Sequence, residues 1–255
     1  MDILTPILLS LSFIGIGSIA LYPIRSIVAN YGLTFYSVNS FIIGLGLIGW
    51  ISHYALLYEF FGSIFVTFLS LIGFIFLFLL IIFFRNNSYS LMPVNFRISL
   101  IEILLFLLIA CFSFLDIIIA LAPPSNADSL GYHYFIAKTF SNEENIVFFP
   151  RAATGAVPLI IQTIYAYFYE VSGEIGMTFF VGITKIVFTV SFYCLSRNLI
   201  NRQNSLLITA VVISIPAIVY GGSNGDVDVR LSLFVISSFS LFFIWVNQDS
   251  NKRNI

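Results

Sequence analysis

The sequence predicts an all-α protein, a polytopic transmembrane helical bundle of about seven spans. Of its 255 residues, 59% are hydrophobic and only 9% are charged, whereas roughly 25% of the residues in a soluble domain are charged. A soluble globular fold is therefore excluded. A span needs about 20 apolar residues, and within lipid those residues must form helices. Seven stretches reach or approach this length: Ile3–Ile24, Phe41–Ile51, Gly62–Phe84, Ser99–Ala122, Ile175–Leu195, Leu206–Val219 and Leu231–Val246.

The charged residues orient these spans. Cytoplasmic loops carry an excess of Lys and Arg, which places the N-terminus outside and the C-terminus inside. Seven of the eleven basic residues then lie on the cytoplasmic side: Arg25, Arg85, Arg97, Arg197, Arg202, Lys252 and Arg253. The acidic residues concentrate on the other side: Asp128, Glu143, Glu144, Glu170, Glu174, Asp226 and Asp228.

One apolar segment, Pro158–Phe168, is too short to cross a membrane. Runs of this length are more often interfacial or re-entrant, so we expect a juxtamembrane or re-entrant helix in the first large extracytoplasmic loop. Tyr165, Tyr167 and Tyr169 are suited to a membrane–water boundary. We therefore expect these tyrosines to lie at the interface.

The polar stretch Asn86–Asn95 divides the chain into two groups of spans. Residues 1–97 form an N-terminal group of three, and residues 98–255 form a second group with an extracytoplasmic loop at 123–157. The formal net charge of −1 excludes nucleic acid as a partner, because no basic patch is available to neutralise phosphates. Only the second group contains residues that could form a site.

The long loop begins with Pro123 and Pro124, which end the preceding span, and continues to Asp128. A carboxylate at a helix N-terminus above the bilayer is placed to accept a proton from a substrate hydroxyl. Asp is also a favoured helix N-cap, as is Asn126. Asp128 is therefore either a catalytic base or a cap.

The same loop carries Tyr132, His133, Lys138 and Arg151. These side chains could bind a phosphate or sugar hydroxyls at the outer leaflet. Alternatively, Tyr132 and His133 anchor the loop at the interface and Lys138 extends its amine towards water.

A second extracytoplasmic loop carries Asp226 and Asp228 immediately before a span. Two carboxylates separated by one residue can converge on a divalent cation such as Mg²⁺ or Mn²⁺, so these two are candidate metal ligands. Asp228 and Arg230 are costly in contact with lipid, which predicts that they face a polar cavity or each other.

Lys185 lies about ten residues from either end of its span, near the middle of the membrane. Asp116 and Glu102 of the preceding span are candidate partners. Ionisable residues in this position are functional by default, which favours an alternative function as a non-enzymatic transporter or channel subunit. A membrane scaffold is a further alternative.

Three segments together resemble a known superfamily. A span ends in Pro-Pro and is followed by Asp128–Lys138 (DSLGYHYFIAK), then by Ile146–Pro150 and Pro158–Ile160. These resemble the first extracytoplasmic loop of the GT-C superfamily of integral-membrane glycosyltransferases. The later Gly225–Phe234 (GDVDVRLSLF) resembles the acidic start of a later span in those proteins, and the resemblance covers about residues 99–246.

The resemblance implies transfer of a sugar from a polyprenyl-phosphate carrier to a lipid, glycan or protein acceptor, with inversion at the anomeric centre. It implies that Asp128 is the general base or orients the acceptor, that Asp226 or Asp228 is a second acidic element, and that Pro158–Glu170 covers the cavity. Lys138 or Arg151 would stabilise the leaving phosphate. Members have further spans, so the chain is expected to be the N-terminal part of a longer enzyme. The expected location is a bacterial inner membrane.

Overall fold

The protein is a bundle of α-helices, seen in a computed structural model that describes residues 3–86, 98–149 and 160–253. These ranges contain no β-strand. The helices are α1 (Leu4–Leu21), α2 (Arg25–Ala29), α3 (Leu33–Leu57), α4 (Ser63–Asn86), α5 (Leu100–Leu121), α6 (Tyr134–Glu143), α7 (Ile160–Leu199), α8 (Arg202–Ile213), α9 (Pro216–Ser223) and α10 (Asp228–Arg253).

The predicted multi-pass membrane architecture is confirmed. Within the described ranges, six helices are long and apolar enough to cross a membrane. The bent pair α8 and α9 makes up to seven, if the pair is one span. The predicted stretch Leu206–Val219 is therefore not one straight helix: its halves meet at 71°. Pro216 begins α9, where its missing N–H and its ring stop a continuing helix.

Close backbone contacts hold α1 against α3 and α4. Gly17 lies against the carbonyl of Ser40, and Gly15 lies against the carbonyl of Gly73, so that a Cβ atom at either glycine would overlap the opposite backbone. In lipid, where hydrophobic burial does not drive helix association, such small residues allow the van der Waals contact that does. This three-helix unit packs on α7, with Phe13 at the contact.

The 40 residues of α7 do not form one straight rod, because the chain reverses at Gly173. This residue has φ 64° and ψ −161°, a conformation open essentially only to glycine. Phe168 stacks on Phe180 with ring centroids 4.0 Å apart, whereas twelve residues of straight helix would separate them by about 18 Å. Residues 160–172 therefore fold back along the second half of α7.

Two of the tyrosines expected at the membrane–water boundary face neither water nor lipid. Tyr165 and Tyr167 are completely buried. Burial of tyrosine requires a partner for its hydroxyl: Tyr165 donates to the carbonyl of Gly225 at 3.1 Å, and Tyr167 is hydrogen-bonded to Ser70 of α4. The segment is part of the core. Pro158, which was expected to begin it, lies outside the described residues.

Of the two candidate partners of Lys185, the structure excludes Glu102 and keeps Asp116. Glu102 instead accepts two hydrogen bonds from Arg202, at 2.6 and 2.7 Å, and closes a capping box with Ser99 at the start of α5. Lys185 donates to the carbonyl of Ile218 in α9 at 2.6 Å. The carboxylate of Asp116 attracts the Lys185 ammonium. The predicted pairing of Lys185 with Glu102 is wrong, because Glu102 is paired with Arg202.

Candidate functional site

The two acidic loops singled out in the sequence, one after α5 and one before α10, meet at one place. Asn126, after the end of α5, donates from its amide nitrogen to both carboxylate oxygens of Asp226, at 3.0 and 3.2 Å. Ser129 accepts a hydrogen bond at 2.9 Å from the backbone N–H of Gly225. Segments about 100 residues apart are therefore joined through three hydrogen bonds.

Gly225 allows this junction because it has no side chain. A Cβ atom there would lie 2.7 Å from the ring of Tyr134 and 3.2 Å from the Cβ atom of Ser129. Tyr134 is buried, and this burial raises the pKa of its phenol, so the ring packs as a neutral group. The α9–α10 loop consequently lies directly on the start of α6.

Asp128 lies at the edge of this junction with its side chain exposed. Its carboxylate makes no capping hydrogen bond to the helical turn at Ser129–His133. The cap is Asn126, whose side-chain oxygen accepts from the backbone N–H of Asp128 at 2.9 Å. Of the two residue types that could cap this turn, the asparagine fills the role, and the Asp128 carboxylate is left facing outward.

The charges of the acidic groups and of His133 shift one another's pKa values. Burial raises the pKa of Asp226 above the ordinary value for aspartate, and the carboxylates of Asp128 and Asp228 add to the rise, whereas His133 and Arg230 oppose it. Asp228, the first residue of α10, is exposed. The three carboxylates therefore lie near one another at the mouth of the bundle.

Arg230 is completely buried beneath these acids. Its guanidinium donates to the carbonyls of Gly221 and Gly222 at the end of α9, each at 2.7 Å, and to the carbonyl of Asp226 at 2.7 Å. Two further bonds reach Thr184 and the carbonyl of Val181. All five N–H donors of the guanidinium are thus engaged, and Arg230 holds the loop rather than facing the cavity.

Of the other predicted binding residues, two line a cavity and one forms an ion pair on the surface. Lys138 is paired with Glu174 at 2.7 Å on the surface of α6. Tyr132 lies beside His133, with ring centroids 4.5 Å apart, and both line a cavity. Arg151 lies outside the described residues.

His133 is held by a residue that the sequence did not single out. The side-chain amide of Gln162 in α7 lies 2.6 Å from Nδ1 of His133, and both residues are buried. With the amide nitrogen as donor, Nδ1 is the unprotonated nitrogen and Nε2 carries the hydrogen. Burial lowers the pKa of His133, although the negative charges of Asp226 and Asp128 act to raise it. Burial thus favours the neutral imidazole, and with Gln162 as the donor its hydrogen lies on Nε2.

A cavity of about 550 Å³ opens beside His133 and extends between α3 and α10. Gln162, Tyr132 and His133 form its polar end. Its remaining lining is Gly46, Trp50, Ile160, Ile161, Val227, Leu231 and Phe234. Trp50 and Leu231 are about half exposed, so the cavity is open towards the lipid. The arrangement suits an amphiphile with its polar group near the carboxylates and its chain among the helices.

The predicted cation site at Asp226 and Asp228 finds no third ligand in the described ranges. No group of three or more His, Cys, Asp or Glu side chains there could hold a metal ion. Both oxygens of Asp226 already accept from Asn126. Binding of Mg²⁺ or Mn²⁺ stays a prediction.

Several residues of the site were missed in the sequence: Asn126 as the partner of Asp226, Ser129, Gln162 and Tyr165. A polar Gln162 within the apolar run Ile160–Phe168 is a signal that could have been used, because a buried amide requires a partner. Nothing in the sequence indicates that this partner is His133.

We expect Gln162→Glu to raise the pKa of His133 by about 1–3, because a carboxylate beside Nδ1 favours the charged imidazolium. In the native protein the lowered pKa means that the unfolded chain binds more protons just below pH 6.5, so stability falls as the pH decreases through that region. The Gln162→Glu substitution should weaken or reverse this dependence of stability on pH. Nuclear magnetic resonance of ¹⁵N-histidine-labelled protein measures the pKa, and denaturant unfolding at a series of pH values measures the change in stability.

The chain contains only two histidines, so a His53→Gln variant assigns the two signals. His53 also serves as the control: the hydrogen bond described for Gln162 goes to His133, so the titration of His53 should change much less. An unaltered His133 titration in folded Gln162→Glu protein would contradict the assignment.

Comparison with family models, with curated proteins and with solved structures finds no match to this chain.

Proposed function

We propose that the protein is a membrane glycosyltransferase that moves a sugar from a polyprenyl-phosphate carrier to an acceptor on the extracytoplasmic side. The observation that carries the proposal is the apolar cavity that opens beside His133, whose imidazole lies within electrostatic range of the carboxylates of Asp128, Asp226 and Asp228. A polyprenyl chain is apolar, and its phosphate and sugar are polar, so the carrier matches both ends of this cavity. The acceptor is a lipid, glycan or protein, and the membrane is a bacterial inner membrane.

In this proposal Asp128 is the general base, and the reaction inverts the anomeric centre. An acceptor O–H gives its proton to the Asp128 carboxylate while the oxygen forms a bond to the anomeric carbon. The bond from that carbon to the phosphate oxygen breaks, and the electron pair leaves with the polyprenyl phosphate. Nε2–H of His133 donates to the polar group in the cavity, and Asp226 and Asp228 orient the acceptor hydroxyls.

The direct test uses membranes containing the chain and polyprenyl-phosphate sugars labelled with ¹⁴C in the sugar. We expect label to move from the carrier to an acceptor in the same membranes. Absence of transfer by folded protein, across hexosyl and pentosyl donors and with native membranes of the source cell as acceptor, contradicts the proposal.

We expect Leu231→Trp to raise the KM for the lipid-linked donor about tenfold with little change in kcat, because added volume in the cavity removes binding that ground state and transition state share. Leu231 lines the cavity and is 49% exposed, so the larger ring can be accommodated without unfolding. Initial-rate kinetics in detergent measure the change.

The matched control is Val235→Trp. Val235 lies one turn further along α10, is 68% exposed and is not among the cavity residues. Its kinetics should equal those of the native protein. Equal KM values for the two tryptophan variants would mean that the chain of the donor does not occupy this cavity.

A carrier or channel subunit is the second candidate, favoured by the break between α8 and α9. Broken helices whose ends hold ionisable groups are typical of transporters, and here Lys185 and Arg230 donate to carbonyls of α9. Lys185→Met should then abolish tracer flux into proteoliposomes. Retained flux contradicts the carrier, and sugar transfer without any flux supports the transferase.

A further inference from the structure

A second cavity lies at the opposite, basic end of the helices. It has a volume of about 390 Å³ and is enclosed by the end of α1, the start of α3 and the last turns of α4. Apart from Ser18 and Arg25 its lining is apolar and aromatic: Ile19, Tyr22, Tyr36, Phe76, Leu79, Leu80 and Phe83. None of these residues lines the cavity beside His133, so the two sites are separate.

Arg25 is held in place at this cavity by aromatic rings. Its guanidinium carbon lies 3.6 Å from the centroid of the Tyr22 ring and 5.0 Å from that of Phe83. One guanidinium nitrogen donates to the carbonyl of Tyr22 at 3.3 Å. Within the described part of the chain, no other acceptor binds the guanidinium. Since arginine has five N–H donors, four of them are available to a ligand.

A ligand of this cavity must satisfy two requirements. It must place hydrocarbon among the apolar side chains, because an open apolar cavity within a bilayer is in contact with lipid chains. It must also offer anionic oxygens to Arg25, since a guanidinium near lipid is stabilised by a bidentate acceptor such as phosphate. Basic pockets between spans bind anionic headgroups for the same reason.

We infer that the cavity between α1, α3 and α4 binds an anionic phospholipid, with an acyl chain among Ile19, Phe76 and Leu79 and the phosphate on Arg25. The site does not depend on the proposed transferase activity. The lipid would bridge the end of α1 and the last turns of α4, which both line the cavity.

The test is native mass spectrometry of the full chain in detergent, titrated with phosphatidylglycerol or with phosphatidylcholine of identical acyl chains. We expect the native protein to bind phosphatidylglycerol roughly five- to tenfold more tightly. Both lipids offer a phosphate to Arg25, but the choline ammonium of phosphatidylcholine neutralises its headgroup and repels the guanidinium. Arg25→Gln should remove this preference. Arg25→Lys should retain part of it, because the charge remains while the planar fork is lost.

Arg85→Gln is the matched control. Arg85 lies in the last turn of α4 at the same end of the bundle, is exposed, and does not line the cavity. Its replacement removes the same charge and should leave the preference intact. Equal losses in the Arg25 and Arg85 variants would show only a general attraction between charges and would overturn the site.

Leu79→Trp tests the acyl chain independently of the charge. Leu79 lines the cavity and is 52% exposed, so tryptophan should fit and weaken binding of both lipids. Unchanged phosphatidylglycerol binding in this variant would overturn the acyl-chain placement. Displacement of the lipid by millimolar inorganic phosphate would show that the ligand is a free anion, which also contradicts the inference.

Discussion

Asp128→Asn is expected to abolish sugar transfer while leaving the protein folded. General-base catalysis contributes about 10²- to 10⁴-fold to a rate, and asparagine cannot accept the proton. The fold should survive because the local turn is capped by Asn126 through the backbone of Asp128, and the Asp128 side chain is exposed. Transfer of labelled sugar and the thermal unfolding midpoint, measured on the same preparation, report the two properties.

The control for this variant is Glu143→Gln. Glu143 is the last residue of α6 and is exposed, so its replacement removes one negative charge from the same loop. We expect full activity. If Asp128→Asn is equally active and Asp226→Asn is inactive, the base is Asp226 and the role proposed for Asp128 is wrong.

Arg230→Lys should destabilise the protein by at least about 2 kcal/mol, even though the charge is kept. The guanidinium satisfies four backbone carbonyls and the Thr184 hydroxyl from a fully buried position. An ammonium has three donors in a compact group, so at least two of these five acceptors lose their partner, and each buried unsatisfied group costs about 1–3 kcal/mol. Thermal or denaturant unfolding in detergent measures the loss.

Arg197→Lys makes the same chemical change at an exposed position. Arg197 donates a hydrogen bond at 3.2 Å to the carbonyl of Ile200, just after the end of α7. Its replacement should alter the free energy of unfolding by less than about 0.5 kcal/mol. Similar unfolding midpoints for the two lysine variants would show that the Arg230 hydrogen bonds do not hold the loop.

Much of the fold could be predicted because its signals are local. Apolar stretches gave the spans, and Pro123 and Pro124 correctly marked the end of α5, which stops at Leu121. The capping box of Ser99 and Glu102 is also a local pattern, a serine followed three residues later by glutamate. That pattern could have excluded Glu102 as the partner of Lys185.

The parts that could not be predicted depend on contacts between distant residues. The reversal at Gly173 requires knowledge that Phe168 stacks on Phe180, because an isolated glycine in an apolar stretch is also compatible with a continuing helix. The partner of His133 comes from another helix, 29 residues away. Periodicity describes one element at a time, so it cannot assign such pairs.

The buried first half of α7 imposes an order on biogenesis. The hydroxyl of Tyr167 is satisfied by Ser70, 97 residues earlier, but that of Tyr165 is satisfied by Gly225, 60 residues later. While the ribosome is still synthesising α8, the acceptor for Tyr165 does not exist, and an unsatisfied hydroxyl is costly in hydrocarbon. We therefore expect residues 160–172 to wait at the membrane surface and to enter the bundle only after the α9–α10 loop has emerged, as a late step after membrane integration.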